Sequence, residues 1–415
     1  MLDIKYIREH AEEVKKNSEN RGAKVNIDRL LELDETRRAK IAEVGELRAA
    51  RNSGSKGKPS DEEIAKMRAV GESISKAEAE LSDVEAEYAM HLKSVPNTTH
   101  PDVPSGGEED FKVLSTEGKA PEFDFEPKDH EELMLALDVL DFERAAKVAA
   151  AKFYYTKNDL VRLNQALLNY GLDIMQKHGF VVMETPDLAK DSILEGIGFN
   201  PRGPEAQIYS VEQSDLSLVG TAEITLGGYH ADEIIDLSNG PLKYAGISHC
   251  YRTEAGSYGR TSKGLYRVHQ FTKLEMFVYC KPEDSEQMHQ ELLKIEQEIV
   301  DGLEVPYQVI DTASRDLGAP AYRKFDIEAW MVMKNGYGEI TSTSNCTDYQ
   351  ARRLNTRYRD ENGDTKFVHT LNGTAIVTSR LPIAIFENFQ QKDGSISIPT
   401  ALQKYTGFKE IKSRN

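Results

Sequence analysis

Arg252-Thr253-Glu254-Ala255-Gly256-Ser257-Tyr258-Gly259-Arg260, followed by Gly264-Leu265-Tyr266-Arg267-Val268-His269-Gln270-Phe271-Thr272-Lys273-Leu274-Glu275, reads as two antiparallel strands around a mobile loop rich in glycine and arginine. Side chains alternate along a strand with period two, so Arg252 and Glu254 share one face of the first strand. Arg267, His269, Phe271, Lys273 and Glu275 share one face of the second by the same count. Such a hairpin offers guanidinium groups for phosphates, an aromatic plane for a base and a carboxylate for a polar substrate. On strand chemistry alone, an ordinary charged hairpin with solvated ion pairs competes with that reading.

Around this hairpin lies a chain of 415 residues, 39% hydrophobic and 29% charged, long enough for two or more domains. No segment approaches about 20 consecutive apolar residues, so no membrane span is expected. The N-terminal residues lack the apolar run of a signal peptide. Cys250, Cys280 and Cys346 are the only cysteines, with no Cys-x-x-Cys, which fits a reducing cytoplasm and argues against a disulfide framework. The net charge of −17 argues against a protein that coats nucleic acid nonspecifically, because that requires clustered Lys and Arg. A local basic patch could still hold RNA.

Residues 1 to about 26 suggest a short helical segment with Ile4, Ile7 and Val14 as contacts. Two longer helices follow. Leu30, Ile41, Val44 and Leu47 fall near a 3.5-residue repeat, interrupted by Arg37. Met67, Ile74, Leu81 and Tyr88 are spaced by sevens, with Val70, Ala77 and Val84 between them. The turn formers from Asn52 to Ser60 join the two into an antiparallel helical hairpin. A structural spacer or a dimerising coiled coil has the same pattern. Arg48, Arg51, Lys56 and Lys58, however, cluster at the tip with no acid among them, a plausible phosphate-contacting end.

The stretch from Val95, dense in proline and glycine, reads as a linker over 96–110 between a helical arm, 1–95, and a catalytic α/β part, 111–415. In the latter, Leu160, Leu163, Leu167, Gly171 and Ile174 mark one face of a helix ending at Gly179, before a strand over 180–184. Further strands are expected over 305–310, 324–332 and 337–341, and a helix around Met288, Leu292, Ile295 and Ile299. Strands outnumber helical crossovers of the right size. The expected class is therefore α+β, with a mainly antiparallel sheet flanked by helices. No phosphate-binding Gly-x-x-x-x-Gly-Lys-Ser/Thr loop occurs.

The hairpin, in the form R-x-E-A-G … G-L-x-R-V-H-Q-F-x-K-x-E, resembles the second signature motif of class II aminoacyl-tRNA synthetases in the version of the seryl-tRNA synthetases. The helix and strand over 158–184, ending in Thr185-Pro186, are similar to the first motif, which in the family builds a dimer interface. Leu371 to Arg380 and the run from Leu381 resemble the third motif, a strand and then a helix with arginine at its start. Pro382 suits only a first helical turn. Thr221-Ala222-Glu223 resembles the T-x-E motif that holds the amino acid's ammonium. Glu339-Ile340-Thr341-Ser342 with Ser344-Asn345-Cys346 resembles the run that supplies oxygen ligands for Mg²⁺. Alternation puts Glu339 and Thr341 on one face, so Ser342 needs a bend to join Glu339.

The resemblance implies ATP-dependent activation of L-serine and its transfer to tRNA(Ser), with a selenocysteine tRNA as a further candidate. It implies ATP and Mg²⁺ as cofactors, a cytoplasmic homodimer, a grip on the long variable arm of the tRNA, and neither membrane nor DNA as a partner. Arg252, Arg380 and Glu275 form the expected catalytic set. Arg252 would bind the α-phosphate and Arg380 the γ-phosphate. Phe271 would stack on adenine, Glu254 would lie near adenosine, and main chain near Val268 would contact the base. Thr253, Arg267, Glu339, Ile340, Thr341 and Ser342 complete the ATP set, with Glu339 and Ser342 as metal ligands. Thr221, Ala222, Glu223, Glu275, Asn372 and Thr374 would hold serine. Two places depart from the family's pattern: Gly196 to Glu205 replaces G-T-G-Q-L-P-K-F, and Val377-Thr378-Ser379 stands where A-V-G is frequent. An amino-acid-activating paralogue that loads a protein carrier, and a catalytically silent RNA-binding protein, are the competing readings. The first should lack the arm, and the second should lack Arg252, Glu339 or Arg380.

Overall fold

The computed structural model describes residues 1–53, 60–199, 207–254 and 264–413. The chain forms two compact units, Met1–Thr98 and Thr99–Asn415.

The first unit contains α1 (Ile4–Glu9), α2 (Ala11–Asn20), α3 (Ile27–Ser53) and α4 (Asp61–Ser94). At about 1.5 Å per residue, α4 runs some 50 Å. Ion pairs Arg29–Glu87, Arg37–Glu85, Lys40–Glu80 and Arg48–Glu78 join α3 to α4. One number rises as the other falls, which is the signature of antiparallel helices. At the base, Leu2, Ile7, Val14, Ile27, Leu30, Leu92 and Val95 close an apolar cluster. Farther along, Val44, Ile74 and Ala77 are buried. The seam on α3 is Leu30, Leu33, Arg37, Lys40, Val44 and Leu47, in heptad steps of three and four. Ile41, expected in the seam, is one step off it and 43% exposed. Arg37 does not break the seam: its guanidinium lies 5.2 Å over the Tyr88 ring and pairs with Glu85.

The stretch 96–110, expected to be a linker, is divided between the two units. Asn97 O accepts from Asn17 and Arg21 at 3.0 Å each, inside the first unit. In the second, His100 N donates to Tyr322 O, while Ser314 N and Arg315 N donate to Pro104 O and Gly106 O. Backbone groups that proline and glycine leave outside helices and strands are paired here with the body of the protein.

The second unit is built on an eight-stranded sheet. Its strands are β1 (Lys112–Glu117), β2 (Val181–Glu184), β3 (Leu242–Tyr251), β4 (Gln270–Cys280), β5 (Tyr307–Asp311), β6 (Arg323–Met331), β7 (Gly336–Asn345) and β8 (His369–Val377). Their spatial order is β1-β5-β6-β7-β8-β4-β3-β2. Every pair is antiparallel except the edge pair β2–β3, which is parallel. The front face carries Phe271, Lys273 and Glu275 and is partly covered by α6 (Ala222–Gly228). Against the back face pack α5 (Asn158–Lys177) and α7 (Ser285–Gly302). Two further helices, α8 (Tyr349–Leu354) and α9 (Leu381–Asn388), follow β7 and β8.

Leu160, Leu163, Leu167, Gly171 and Ile174 of α5 are all buried. The chain leaves this helix through Gly179 at φ +77°, where a Cβ would be penalised. Gly171 is needed for a different reason. A Cβ there would meet Ile376 Cγ1 at 2.6 Å and Leu274 Cδ2 at 2.8 Å. Gly171→Val is therefore expected to destabilise this unit by about 2–3 kcal/mol, since overpacking a close-packed contact forces side chains off their rotamers. A urea titration followed by circular dichroism would check it, and an unchanged midpoint would show that the helix can lift off without cost.

Candidate functional site

The strands of the quoted hairpin are shorter than alternation predicts. β3 ends at Tyr251 and β4 begins at Gln270. Arg252, Thr253, Glu254, Arg267, Val268 and His269 therefore lie beyond the ladder, and Glu254 has φ +50°. Paired strands need flat, extended backbone; one last bond, Arg252 N to His269 O at 3.0 Å, follows the strands, and the chain then turns away. The expected mobile loop, 255–263, lies outside the described residues. Phe271, Lys273 and Glu275 do lie on β4, facing front.

Two bulges shape the front face. On β7, Thr341 pairs with Ile327 and Glu339 with Glu328, so Ile340 is one residue too many. On β8, Thr374 pairs with Glu275 and Ile376 with Leu274, so Ala375 is the extra residue. A bulge resets alternation. It places Glu339 and Ser342 on the front and turns the Thr341 side chain to the back. This is the bend that Ser342 requires, and it separates Glu339 from Thr341 rather than joining them.

At one end of the face stands a buried cluster. Lys273 pairs with Glu275 Oε2, and Thr374 Oγ1 donates to the same oxygen at 3.2 Å. Lys273 Nζ is also 3.5 Å from Thr374 Oγ1. Glu275 is 2% exposed, Lys273 and Thr374 6% each. Above them, α6 brings Glu223. Its Oε1 accepts from Gln350 Nε2 at 2.8 Å and from Asn372 Nδ2 at 3.0 Å. Burial, then the neighbouring Glu275 charge, push the Glu223 carboxyl up to about 7. Thr221 caps α6, its hydroxyl accepting from Glu223 N at 3.2 Å. Ala222 is packed in the apolar cluster with Leu226 and Phe277. Of this tripeptide, only Glu223 presents a charge.

Beside this cluster, sharing Lys273 and Thr374 in its lining, is a cavity of about 350 Å³ bounded by Arg252, Glu254, Arg267, Val268, Phe271 and the 339–342 run among others. The Arg252 guanidinium lies 5.2 Å over the Phe271 ring, and its Nε donates to Gly220 O at 3.3 Å. Arg267 pairs with Glu254 at 2.9 Å. Thr253 N donates to Gln207 O. Arg380 occupies the position before α9, with Pro382 in the first turn. It pairs with Glu339 Oε1 at 2.9 Å, donates to Glu339 O at 3.2 Å and lies over the Tyr266 ring. Burial opposes ionisation of Glu339, but Arg380 and Lys324 outweigh it and hold the carboxyl below its usual range.

The donor set fits a magnesium ion. Glu339 and Ser342 are two oxygen donors on one front face, lining one cavity, and Mg²⁺ binds through few protein oxygens plus phosphates. Among the described residues no group of three His, Cys, Asp or Glu could hold a metal by itself.

Sequence reasoning left out residues that the structure places here. Lys273 is in the quoted stretch, two positions from Glu275, so period two signals it. Tyr266 and Gln207 line the cavity, and Gln350 holds Glu223; Tyr266 is signalled only by its place inside a motif, and Gln207 lies outside every motif and has no signal. On the arm, Arg48 is engaged with Glu78, and Arg51 is exposed. Lys56 and Lys58 lie outside the described residues, as does most of the atypical run 196–205. Gly196 and Gly198 at its start are described: a Cβ on Gly196 would meet Leu354 Cδ2 at 2.3 Å, and Gly198 has φ +112°.

A mainly antiparallel sheet bearing these three motifs defines the core of a class II aminoacyl-tRNA synthetase. Residues 209–389 match the family "tRNA synthetase class II core domain (G, H, P, S and T)", and residues 1–99 match "Seryl-tRNA synthetase N-terminal domain". The serine–tRNA ligase of Treponema denticola is 55% identical, with 99% of this chain and 100% of that one covered. The seryl-tRNA synthetase of Pyrococcus horikoshii, solved with ATP, has a TM-score of 0.90 at 40% identity, with 100% of each chain covered. The cytoplasmic serine–tRNA ligase of Naegleria fowleri, solved with AMP, gives 0.85 at 32%, covering 100% of this chain and 99% of that one. The chain belongs to the seryl-tRNA synthetase family. Among the described residues no helix is long and apolar enough to cross a membrane.

Proposed function

We propose that the protein activates L-serine with ATP and transfers it to tRNA(Ser). The observation that carries this reading is one sheet face holding two sites side by side. The Lys273–Glu275–Thr374 cluster suits a small hydroxyl amino acid, and the cavity of Arg252, Phe271, Glu339 and Arg380 suits a nucleotide triphosphate. Glu223 holds the serine ammonium. Glu275 accepts from its hydroxyl and Thr374 lies beside it. A carboxylate oxygen of serine attacks the α-phosphorus, the bond to the β-phosphate breaks, and pyrophosphate leaves. Arg252 and Arg380 neutralise charge on the phosphates and hold them in line. Mg²⁺ on Glu339 and Ser342 would add charge neutralisation at those phosphates. The terminal ribose hydroxyl of the tRNA then attacks the seryl carbonyl carbon, the bond from that carbon to the phosphate oxygen breaks, the hydroxyl proton passes to a phosphate oxygen, and AMP leaves. No general base in the site is required.

The long antiparallel arm suits a grip on an RNA stem by shape and backbone contact, here the variable arm of the tRNA. We place the protein in the cytoplasm as a homodimer, joined through α5 and the edge strand β2, whose Val181 is 55% exposed. Pyrophosphate exchange screened over the amino acids, followed by charging of total tRNA, tests the function. Exchange confined to serine, then charging, is expected. Exchange without charging would favour a carrier as acceptor, and no exchange at all would sink the enzyme reading.

The Glu223 carboxyl predicts a pH dependence. Below about pH 7 it is protonated and attracts no ammonium. The KM for serine should rise up to about tenfold per pH unit below 7 and level off above it. Glu223→Gln should raise the KM and flatten that profile. For stability the sign is opposite to a salt-bridged acid. The folded-state value lies above the ordinary 4.5, so this group costs stability as pH rises from about 4.5 to about 7. A serine KM that does not change between pH 6 and 8 would remove Glu223 from the ammonium site.

A further inference from the structure

Under the site, the back face holds a carboxylic acid that the chemistry above does not use. Glu296, in the middle of α7, is fully buried, with Leu292, Ile295 and Ile299 of the same helix in the apolar core around it. Its Oε2 accepts from Thr341 Oγ1 at 3.3 Å. Its other oxygen, Oε1, is turned toward the strand at Gly373 and Thr374 and has no close hydrogen-bond partner. Gly373 lies directly over it, and a Cβ there would come within 3.0 Å of Glu296 Oε1 and 3.2 Å of Thr343 Oγ1. A side chain at 373 would thus close the space the carboxyl fills. Thr341 flanks the extra residue of β7, and Thr374 flanks the extra residue of β8. One buried group therefore touches both bulges from behind.

We propose that Glu296 is a positioning residue that pins both bulges, β7 through the hydrogen bond from the Thr341 hydroxyl and β8 by packing its other oxygen under Gly373, next to Thr374. It thereby aims Glu339 and Ser342 at the phosphates and Thr374 at the serine site. This rests on the serine-activation reading. A bulge is one residue of slack in a ladder, and a ladder can shed it by slipping register. An apolar side chain at 296 would fill the volume but could not choose between bulged and slipped pairing. A carboxyl in an apolar core is costly unless bonded, and the bulge of β7 supplies the Thr341 hydroxyl that bonds it. Burial, and then the nearby Glu275 charge, favour its neutral form. A neutral acid sets a donor oxygen beside a carbonyl acceptor, much as an amide sets its NH₂ beside a carbonyl, so glutamine should replace it.

The test uses the full chain, with serine-dependent pyrophosphate exchange measured for wild type, Glu296→Gln, Glu296→Leu, Thr341→Val and the double variant Glu296→Leu/Thr341→Val. Each is first checked for folding by circular dichroism and melting. Glu296→Leu should raise the serine KM by about tenfold or more and also lower kcat, because misaimed groups cost heavily at a reacting centre. Glu296→Gln should stay within about threefold of wild type. Thr341→Val should shift the same constants in the same direction, and the double variant should be no worse than Glu296→Leu, as contacting residues are not additive. A folded Glu296→Leu with wild-type constants overturns the proposal. So does a Glu296→Gln as impaired as Glu296→Leu. If Glu296→Leu fails to fold, Thr341→Val decides: unchanged constants overturn the proposal, and a raised serine KM supports it. Absence of exchange in the wild type fails the serine-activation reading first and takes this one with it.

Discussion

Arg380→Ala is expected to lower kcat/KM for serine-dependent pyrophosphate exchange by about 10³-fold or more, the scale of losing an arginine that neutralises a transferring phosphoryl group. The geometry makes the loss larger than one charge. Arg380 holds both Glu339 Oε1 and Glu339 O and caps the Tyr266 ring. Without it, Glu339 keeps Lys324 as its chief cationic neighbour and loses the contact that fixes its direction. The proposed metal ligand and the proposed phosphate ligand would then be disturbed by one substitution. Arg380→Lys should recover little, because one guanidinium nitrogen holds both Glu339 oxygens while the rest of the plane lies over the Tyr266 ring and is free for phosphate, and an ammonium has no such plane. The defect should appear in kcat and the ATP KM, with the serine KM much less changed. A melting curve on the same samples separates loss of function from loss of fold. A folded Arg380→Ala within tenfold of wild type would show that Arg380 serves only to hold Glu339.

What was legible in the sequence depended on whether a residue obeys a period. The helical face of α5 and the sevens of α4 follow fixed repeats: the α5 face is buried, and on α4 Ile74 is buried with Met67, Leu81 and Tyr88 half-buried. Ile41 shows the tolerance: one position off a heptad turns a side chain outward by about 100°. The site departs from period two at the places where it works. Ile340 and Ala375 are ordinary apolar residues, and nothing in either marks a bulge. Their effect is to send Glu339, Ser342 and Thr374 to the front and Thr341 to the back. Arg252 and Glu254 were expected on a strand face and lie beyond the strand. They still reach the cavity, because residue type and order in the motif carried them where alternation did not. Glu296 had no motif, and its role follows only from which strands it touches.

Glu275→Gln should separate specificity from stability. Glu275 is the acceptor for the Thr374 hydroxyl and the partner of buried Lys273. The amide keeps the shape and loses the charge, so Lys273 is left buried without a counter-charge. Breaking one side of a buried pair costs about 3–5 kcal/mol, so the melting temperature should fall. Selectivity should fall too. A site built to accept a hydroxyl rejects an analogue lacking it by leaving its own polar groups unpaired, a discrimination that reaches about 10⁴-fold in such sites. With glutamine reoriented toward Thr374, serine loses its strongest acceptor, and the serine-to-alanine ratio of kcat/KM should drop by about 10²-fold or more. The double variant Lys273→Met/Glu275→Leu makes the contrast sharper. Replacing a buried ion pair by apolar residues of similar volume is often neutral or stabilising. That variant should melt at or above the wild type while exchanging pyrophosphate with neither amino acid. The reverse pattern, an unstable double variant that still prefers serine over alanine, would mean that the pair holds the sheet together and that selection for the hydroxyl is made elsewhere, with Glu223 and Asn372 the nearest polar groups.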